Sequence, residues 1–320
     1  MRLNNIWVYG VGGVGGYFGG KIACAVAAHG PSPRKVFFIA RGPHLEEIRK
    51  GGLILNTSVQ TGMICKPAVA TDNADQLPAP DLCLICVKVY DLDHVVRKLG
   101  DKIKDGTVVV PLLNGIDIYE RIRSNLRRGV VLPACVYVGT HIEGPGVVTQ
   151  KGGDGTILCG ADPAVPRFEY APIVDFFHES GISFEWRDDP YKAIWEKYIF
   201  IASFSLVTAL FRKTLGEVFR DQALRELARG IMTEIVLLAR KKGMELAEDV
   251  VDSSLAKARS FPVETKTSFQ RDVEMKGNRN EADLFGGTII RFGKTLGVET
   301  PITRSVYAKL QRTLGRPPAV

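Results

Sequence analysis

Residues 6–15 read Ile6-Trp7-Val8-Tyr9-Gly10-Val11-Gly12-Gly13-Val14-Gly15, and a run rich in small residues follows to Ala28. The first four are apolar and strand-forming, so they predict a buried β-strand. The small residues predict a helix over 14–28. Between the two stands Gly-x-Gly-x-x-Gly, in the context that gives this spacing a mechanism: after a strand and opening a helix. Gly10 permits the tight turn, Gly12 lets the backbone approach a pyrophosphate, and Gly15 lets the helix lie close to the sheet. Gly13 and Val14 complete the loop, where the helix N-terminus offers unpaired N–H groups and a positive dipole end to an anion. Gly10, Gly12, Gly13, Val14 and Gly15 are therefore the expected phosphate-binding residues for a dinucleotide.

The next strand, predicted over 36–40, bears on which dinucleotide. NAD-binding chains place an Asp or Glu at its end to hold the ribose 2′-hydroxyl. Here Val36-Phe37-Phe38-Ile39-Ala40 is followed by Arg41. A carboxylate repels a 2′-phosphate, whereas a guanidinium binds it through paired hydrogen bonds. Arg41 thus favours NADP(H) over NAD(H). The insert at 30–35, which includes Pro31, lengthens the connection without changing that logic.

Apolar runs at 82–87, 107–112 and 130–138 predict further strands, separated by helical candidates at 92–99 and 116–126. Short alternating pieces at 53–56 and 63–65 suggest an antiparallel excursion. Residues 144–155 read as a Gly-rich loop between two strand-like pieces, 164–178 as a helix and 182–186 as a strand. Strands alternating with helices imply a parallel sheet covered on both faces. At Arg187-Asp188-Asp189-Pro190 the pattern changes. Beyond it helices are predicted over 191–210, 221–242, 247–258, 281–296 and 302–314. Gly216, Gly243, Pro262, Gly277, Gly297 and Pro301 punctuate them. The expected fold class is α/β: an N-terminal Rossmann-type doubly wound parallel sheet over 1–187, then an all-helical C-terminal domain over 188–320.

Composition agrees. The 320 residues are 45% hydrophobic and 24% charged, ordinary for a soluble globular chain and far from disordered, collagen-like or mucin-like sequence. The most apolar stretch, 194–210, is interrupted by Glu196, Lys197, Ser203, Ser205 and Thr208, a poor membrane span. A strand-like run follows Met1-Arg2-Leu3-Asn4-Asn5 directly, so no signal peptide is expected and a cytoplasmic location is. Net charge is +7; residues 1–186 carry 19 Lys+Arg against 18 Asp+Glu, and 187–320 carry 23 against 17. The densest basic run, Arg240-Lys241-Lys242, suits a solvated helix C-terminus stabilised by the dipole, and no nucleic-acid or membrane partner is expected. A basic surface also steers an anionic substrate. Cys83 and Cys86 form a C-x-x-C, but along a strand positions three apart face opposite ways. Buried apolar cysteines are expected there, not a metal or redox pair.

Two predicted strands run into residues suited to a site: 82–87 into Lys88, and 107–113 into Asn114-Gly115. Ligands of open α/β sheets bind beyond the carboxyl ends of strands. Singly, each has an ordinary explanation, a lysine that snorkels to water and an Asn-Gly turn. After the boundary comes Trp195-Glu196-Lys197-Tyr198-Ile199-Phe200-Ile201, in which Lys197 sits amid apolar residues. Ser205 and Thr208 fall near its face at helical spacing, a polar stripe suited to a cleft. Burial lowers a lysine pKa toward the range useful for general acid catalysis. Thr267-Ser268-Phe269-Gln270-Arg271-Asp272 and Asn280-Glu281-Ala282-Asp283 add polar and acidic groups that are unremarkable alone.

Jointly these motifs carry a resemblance. The glycine loop, Arg41, Lys88, Asn114-Gly115, Trp195-x-Lys197, the Thr-Ser-x-x-x-Asp segment at 267–272, Glu281 and Pro301 resemble the ketopantoate reductase (2-dehydropantoate 2-reductase) family over nearly the whole chain. The resemblance implies NADPH-dependent reduction of the ketone of 2-dehydropantoate to pantoate, in pantothenate biosynthesis. It implies Lys197 as general acid, Glu281 as ligand of the substrate hydroxyl, and Ser268 as a contact on the carboxylate side. It also implies Asn114 near nicotinamide and substrate, and Lys88 near the cofactor ribose. The family usually carries substrate-holding asparagines where this chain has Ile201 and Ser205, so a related 2-oxo acid is an alternative substrate. The expected partner is a small anionic 2-oxo acid held between the domains, and a homodimer is a possible assembly. Two other classes stay open: a 3-hydroxy acid dehydrogenase of related architecture, and a non-enzymatic NADP sensor. The missing acid after the second strand and the placement of Glu281 argue against the first. Lys197 and Glu281 argue against the second, since a sensor needs no proton donor.

Overall fold

A computed structural model describes residues 3–30, 32–275 and 279–315. Met1, Arg2, Pro31 and Gly277 lie outside them. The chain divides into two compact units: Met1–Asn114 with Ile118–Pro190, and Gly115–Asp117 with Tyr191–Val320.

The first unit runs β1 (Asn5–Tyr9), α1 (Gly13–Ala28), β2 (Lys35–Ile39), α2 (Gly42–Gly51), β3 (Leu53–Asn56), β4 (Met63–Cys65), β5 (Val69–Thr71), β6 (Leu82–Ile85), α3 (Val89–Gly100), β7 (Val108–Pro111), α4 (Ile118–Asn125), β8 (Val130–Val131), β9 (Ala134–Gly144), β10 (Val147–Cys159), α5 (Ala171–Glu179) and β11 (Phe184–Trp186). Six strands form a sheet in the order β5-β2-β1-β6-β7-β8, and every pair in it is parallel. β6 and β7 are buried along their whole length. That is why they read as unbroken apolar runs rather than alternating ones. The strand order turns at β1, whose neighbours are β2 on one side and β6 on the other. Such a switch point leaves a crevice at the carboxyl ends of the strands.

A second sheet, β11-β10-β3-β4 with β9 paired to β10, holds the differences from the sequence reading. The excursion of β3 and β4 is antiparallel as expected. The stretch 144–155, expected as a loop, is largely strand β10, hydrogen-bonded to β9. Its glycines mark irregular register rather than a loop: the pairing shifts between Gln150, Gly152 and Thr156, where extra residues bend one strand. The run 130–138, expected as one strand, splits into β8 in the parallel sheet and β9 in the other. Pro133 stands at the break and cannot donate to a ladder. The helix expected from 164 begins only at Ala171, which puts Pro172 in its first turn, where proline is tolerated, rather than in a helix interior, where it is not. The short elements α2 and β5 carried too little periodicity to be read. Cys83 and Cys86 have free thiols, and burial pushes both well above the usual thiol range. Among the described residues no group of three or more His, Cys, Asp or Glu could hold a metal ion.

The second unit is helical: α6 (Pro190–Phe211), α7 (Leu215–Arg220), α8 (Gln222–Lys241), α9 (Val250–Lys257), α10 (Ser268–Glu274), a π-helical turn (Asp283–Gly287) leading into α11 (Thr288–Leu296), and α12 (Pro301–Thr313). α7 and α10 were not anticipated; each is under three turns long. α6 is long and apolar enough to cross a membrane, but most of it is buried inside the fold, as befits a core helix apolar on all sides. α12 is anchored by the buried Glu234, whose carboxylate accepts from the backbone N–H of Ile302 (2.7 Å) and Thr303 (2.9 Å). Those donors would otherwise lack intrahelical partners.

Candidate active site

The glycine loop follows from backbone geometry. Gly10 has φ +94° and donates its N–H to Ile39 O at 2.9 Å, a conformation that side chains oppose. At Gly15 a Cβ would run into the carbonyl oxygen of Gly10 and lie 2.9 Å from Cys86 Cβ, so glycine is required for α1 to sit this close to the sheet. Gly12 is different. A Cβ there would meet nothing within 4 Å. Gly12 is the N-cap of α1, makes no side-chain cap, and no acidic residue occupies the first turn, which includes Gly13 and Val14. The loop thus leaves an open space in front of a helix N-terminus with no competing negative charge in that turn. A pyrophosphate fits it.

The other expected cofactor residues lie at carboxyl ends of strands in the same unit. Arg41 is the N-cap of α2, two residues beyond β2, with its side chain 79% exposed. Its Nη2 donates to Asp91 Oδ2 at 2.7 Å. Lys88 is the N-cap of α3 and half-buried. Asn114, also half-buried, follows β7 by three residues.

In the second unit Lys197 lies half-buried on α6. The polar stripe continues from it but is covered: Ser205 is 3% exposed and Thr208 is fully buried. Thr208 shares a 3.0 Å hydrogen bond with Thr267, the N-cap of α10, whose hydroxyl accepts from Gln270 N–H. Here the stripe joins two helices instead of lining an open cleft. Ser268, the first residue of α10, is exposed. Glu281 is 4% exposed and directly precedes the helix that contains the π-turn. The π-turn is tied to α6 by Tyr198, which donates its hydroxyl to Leu284 O at 2.6 Å. Lys197 and Glu281 are therefore one residue and three residues away from the two ends of one buried hydrogen bond. Arg291 clamps the same turn by donating to both carboxylate oxygens of Asp283, at 2.6 and 3.0 Å, and this pairing holds its guanidinium pKa above the ordinary value.

Asp91 and Tyr198 were missed by sequence reasoning. Asp91 is 50 residues from Arg41 and gave no signal. Tyr198 gave one that was not used, because a tyrosine hydroxyl in a buried helix needs a partner.

A parallel sheet whose first strand turns through glycines into a helix N-terminus places the first unit among Rossmann-type domains. The chain belongs to the ketopantoate reductase PanE/ApbA family: the family model matches residues 6–163, and that of its C-terminal domain matches 189–313. It is an oxidoreductase of that family. Among its relatives, an "uncharacterized oxidoreductase YkpB" from Bacillus subtilis is 26% identical over 306 residues, covering 95% of this chain and 97% of the relative. A 2-dehydropantoate 2-reductase from Archaeoglobus fulgidus is 27% identical over 306 residues, covering 96% of each. A PanE/ApbA family ketopantoate reductase from Ralstonia eutropha JMP134, known from its crystal structure, has a TM-score of 0.86 at 27% identity and covers 97% and 98% of the two chains. The fold reaches further, to a D-mandelate dehydrogenase solved with NADH, with a TM-score of 0.81 at 20% identity and 97% and 98% coverage.

Proposed function

We propose that this protein reduces the ketone of 2-dehydropantoate to pantoate with NADPH, as a cytoplasmic step of pantothenate biosynthesis. The carrying observation is that both units match the family while the chain keeps Lys197 and Glu281 in the second. When bound, NADPH supplies the hydride. The α1 N-terminus at residues 10–15 holds the pyrophosphate, Arg41 the 2′-phosphate, and Lys88 the ribose side, with Asn114 orienting nicotinamide and substrate. Lys197, as the ammonium, gives a proton to the ketone oxygen as negative charge develops there, where a fixed positive donor stabilises most. Glu281 accepts a substrate hydroxyl, and the exposed Ser268 binds a remaining polar group; the covered Ser205 takes no part in binding. The ketone carbon gains hydride and its oxygen a proton, leaving the 2-hydroxy acid. A homodimer is the proposed assembly.

A second reading is a related 2-oxo acid. Ile201 and the covered Ser205 favour it, since neither offers the amide that typical members place there. NADPH absorbance with a panel of 2-oxo acids tests both. Turnover of 2-dehydropantoate above the rest supports the first reading, and preference for another branched or aromatic 2-oxo acid supports the second. Cofactor binding without turnover of any oxo acid would sink both and leave a sensor.

A further inference from the structure

Arginine follows the second strand with no acid beside it in sequence, yet the fold brings an acid to that corner. Asp91 lies in the first turn of α3, after β6, and Arg41 lies just after β2. β2 and β6 flank β1, so the Arg41–Asp91 ion pair spans the strand ends on both sides of the glycine loop. Both charges act on Tyr9, the last residue of β1, whose phenol is pushed up chiefly by burial. Arg41 is mostly solvent-exposed, while the Asp91 side chain is only 15% exposed. The carboxylate is thus the fixed member of the pair and the guanidinium the movable one.

We propose that Asp91 is a specificity-determining residue for the cofactor, restraining the preference for a 2′-phosphate that Arg41 alone would give. This rests on reading the first unit as the nucleotide site. A 2′-phosphate reaching Arg41 must compete with the Asp91 carboxylate for the same donors and bear its repulsion. A 2′-hydroxyl has no charge to repel and can donate to a carboxylate, the role an acid at the end of the second strand plays in NAD-binding chains. The acid has moved to another element, and the corner holds one group suited to each cofactor.

The ordinary explanation is that Asp91 merely stabilises the α3 N-terminus through its dipole. Equilibrium binding of NADPH and NADH, followed by nicotinamide fluorescence without substrate, separates the two. Asp91→Asn keeps the shape and removes the charge. It should tighten NADPH about tenfold at low salt, a plausible size for one partly exposed charge beside a phosphate. It should leave NADH unchanged or weaken it, and the NADPH gain should shrink with added salt. Asp91→Ser, which also removes the charge, should shift the ratio the same way and serves if the first variant folds poorly. A dissociation-constant ratio unchanged within about twofold in either folded variant would overturn the proposal while leaving the nucleotide site intact. Failure of the unaltered protein to bind either nucleotide would overturn the site and the proposal together.

Discussion

The glycine loop and helix α6 each carry residues proposed for the site, and the two regions reveal them in opposite ways. The loop is written in one short stretch, a strand, three spaced glycines and a helix, even though Gly10 also bonds to Ile39 and packs closely on Val87 and Cys86. In α6, Lys197 is one charge in an apolar helix. What gives it a setting is a turn 86 residues away, joined through Tyr198. A local motif tells its reader what it binds; a residue positioned by helix packing reveals only that it is unusual.

The largest expected effect breaks that comparison on the α6 side. Lys197→Ala should lower turnover by roughly two to four orders of magnitude, the range for losing a general acid, while NADPH affinity changes little. An active Lys197→Met enzyme, with the apolar stem kept, would reduce the lysine to a structural role. Glu281→Ala should show part of its loss in apparent substrate affinity, which initial-rate kinetics would separate.

Gly12→Ala sharpens the loop side. Its Cβ would meet open space, so melting temperature should stay within about 2 °C of the parent. NADPH affinity should fall roughly 10- to 100-fold, because the methyl occupies the place the pyrophosphate needs. Gly15→Ala, which drives a methyl into Gly10 O, should lose stability as well. Equal thermal losses in the two would mean the Gly12 space is structural.

Tyr198→Phe should cost about 1–2 kcal/mol in urea unfolding, for a hydroxyl lost from a buried carbonyl. If it also registers Lys197, kcat should drop while NADPH binding holds. Loss of stability with unchanged kcat would confine Tyr198 to the fold.

The smallest expected effect is a pH dependence in the first unit. His44 Nδ1 accepts from Gly146 N–H at 3.0 Å, and burial holds its pKa below the ordinary 6.5. The unfolded chain therefore takes up the proton first. Stability from this group is present above about pH 6.5 and declines as pH falls from there through the folded pKa. Denaturant midpoints between pH 7.5 and 5 should show a slope that flattens in His44→Gln; an identical slope would assign it to other groups.

By itself the sequence determined the parallel sheet, the tight glycine turn between β1 and α1, the change to helices after the first unit, and the unusual character of Arg41 and Lys197. Each rests on neighbours a few residues apart or on the period of burial, which short-range sterics and the hydrophobic pattern impose. Tertiary structure alone decided that the Gly-rich stretch pairs as β10, that β8 and β9 separate at Pro133, and that Ser205 is covered. It alone brought Asp91 to Arg41 and Tyr198 to the π-turn. Those outcomes depend on contacts between residues tens of positions apart, set by how whole elements pack, and such contacts leave no periodic or local trace in the chain.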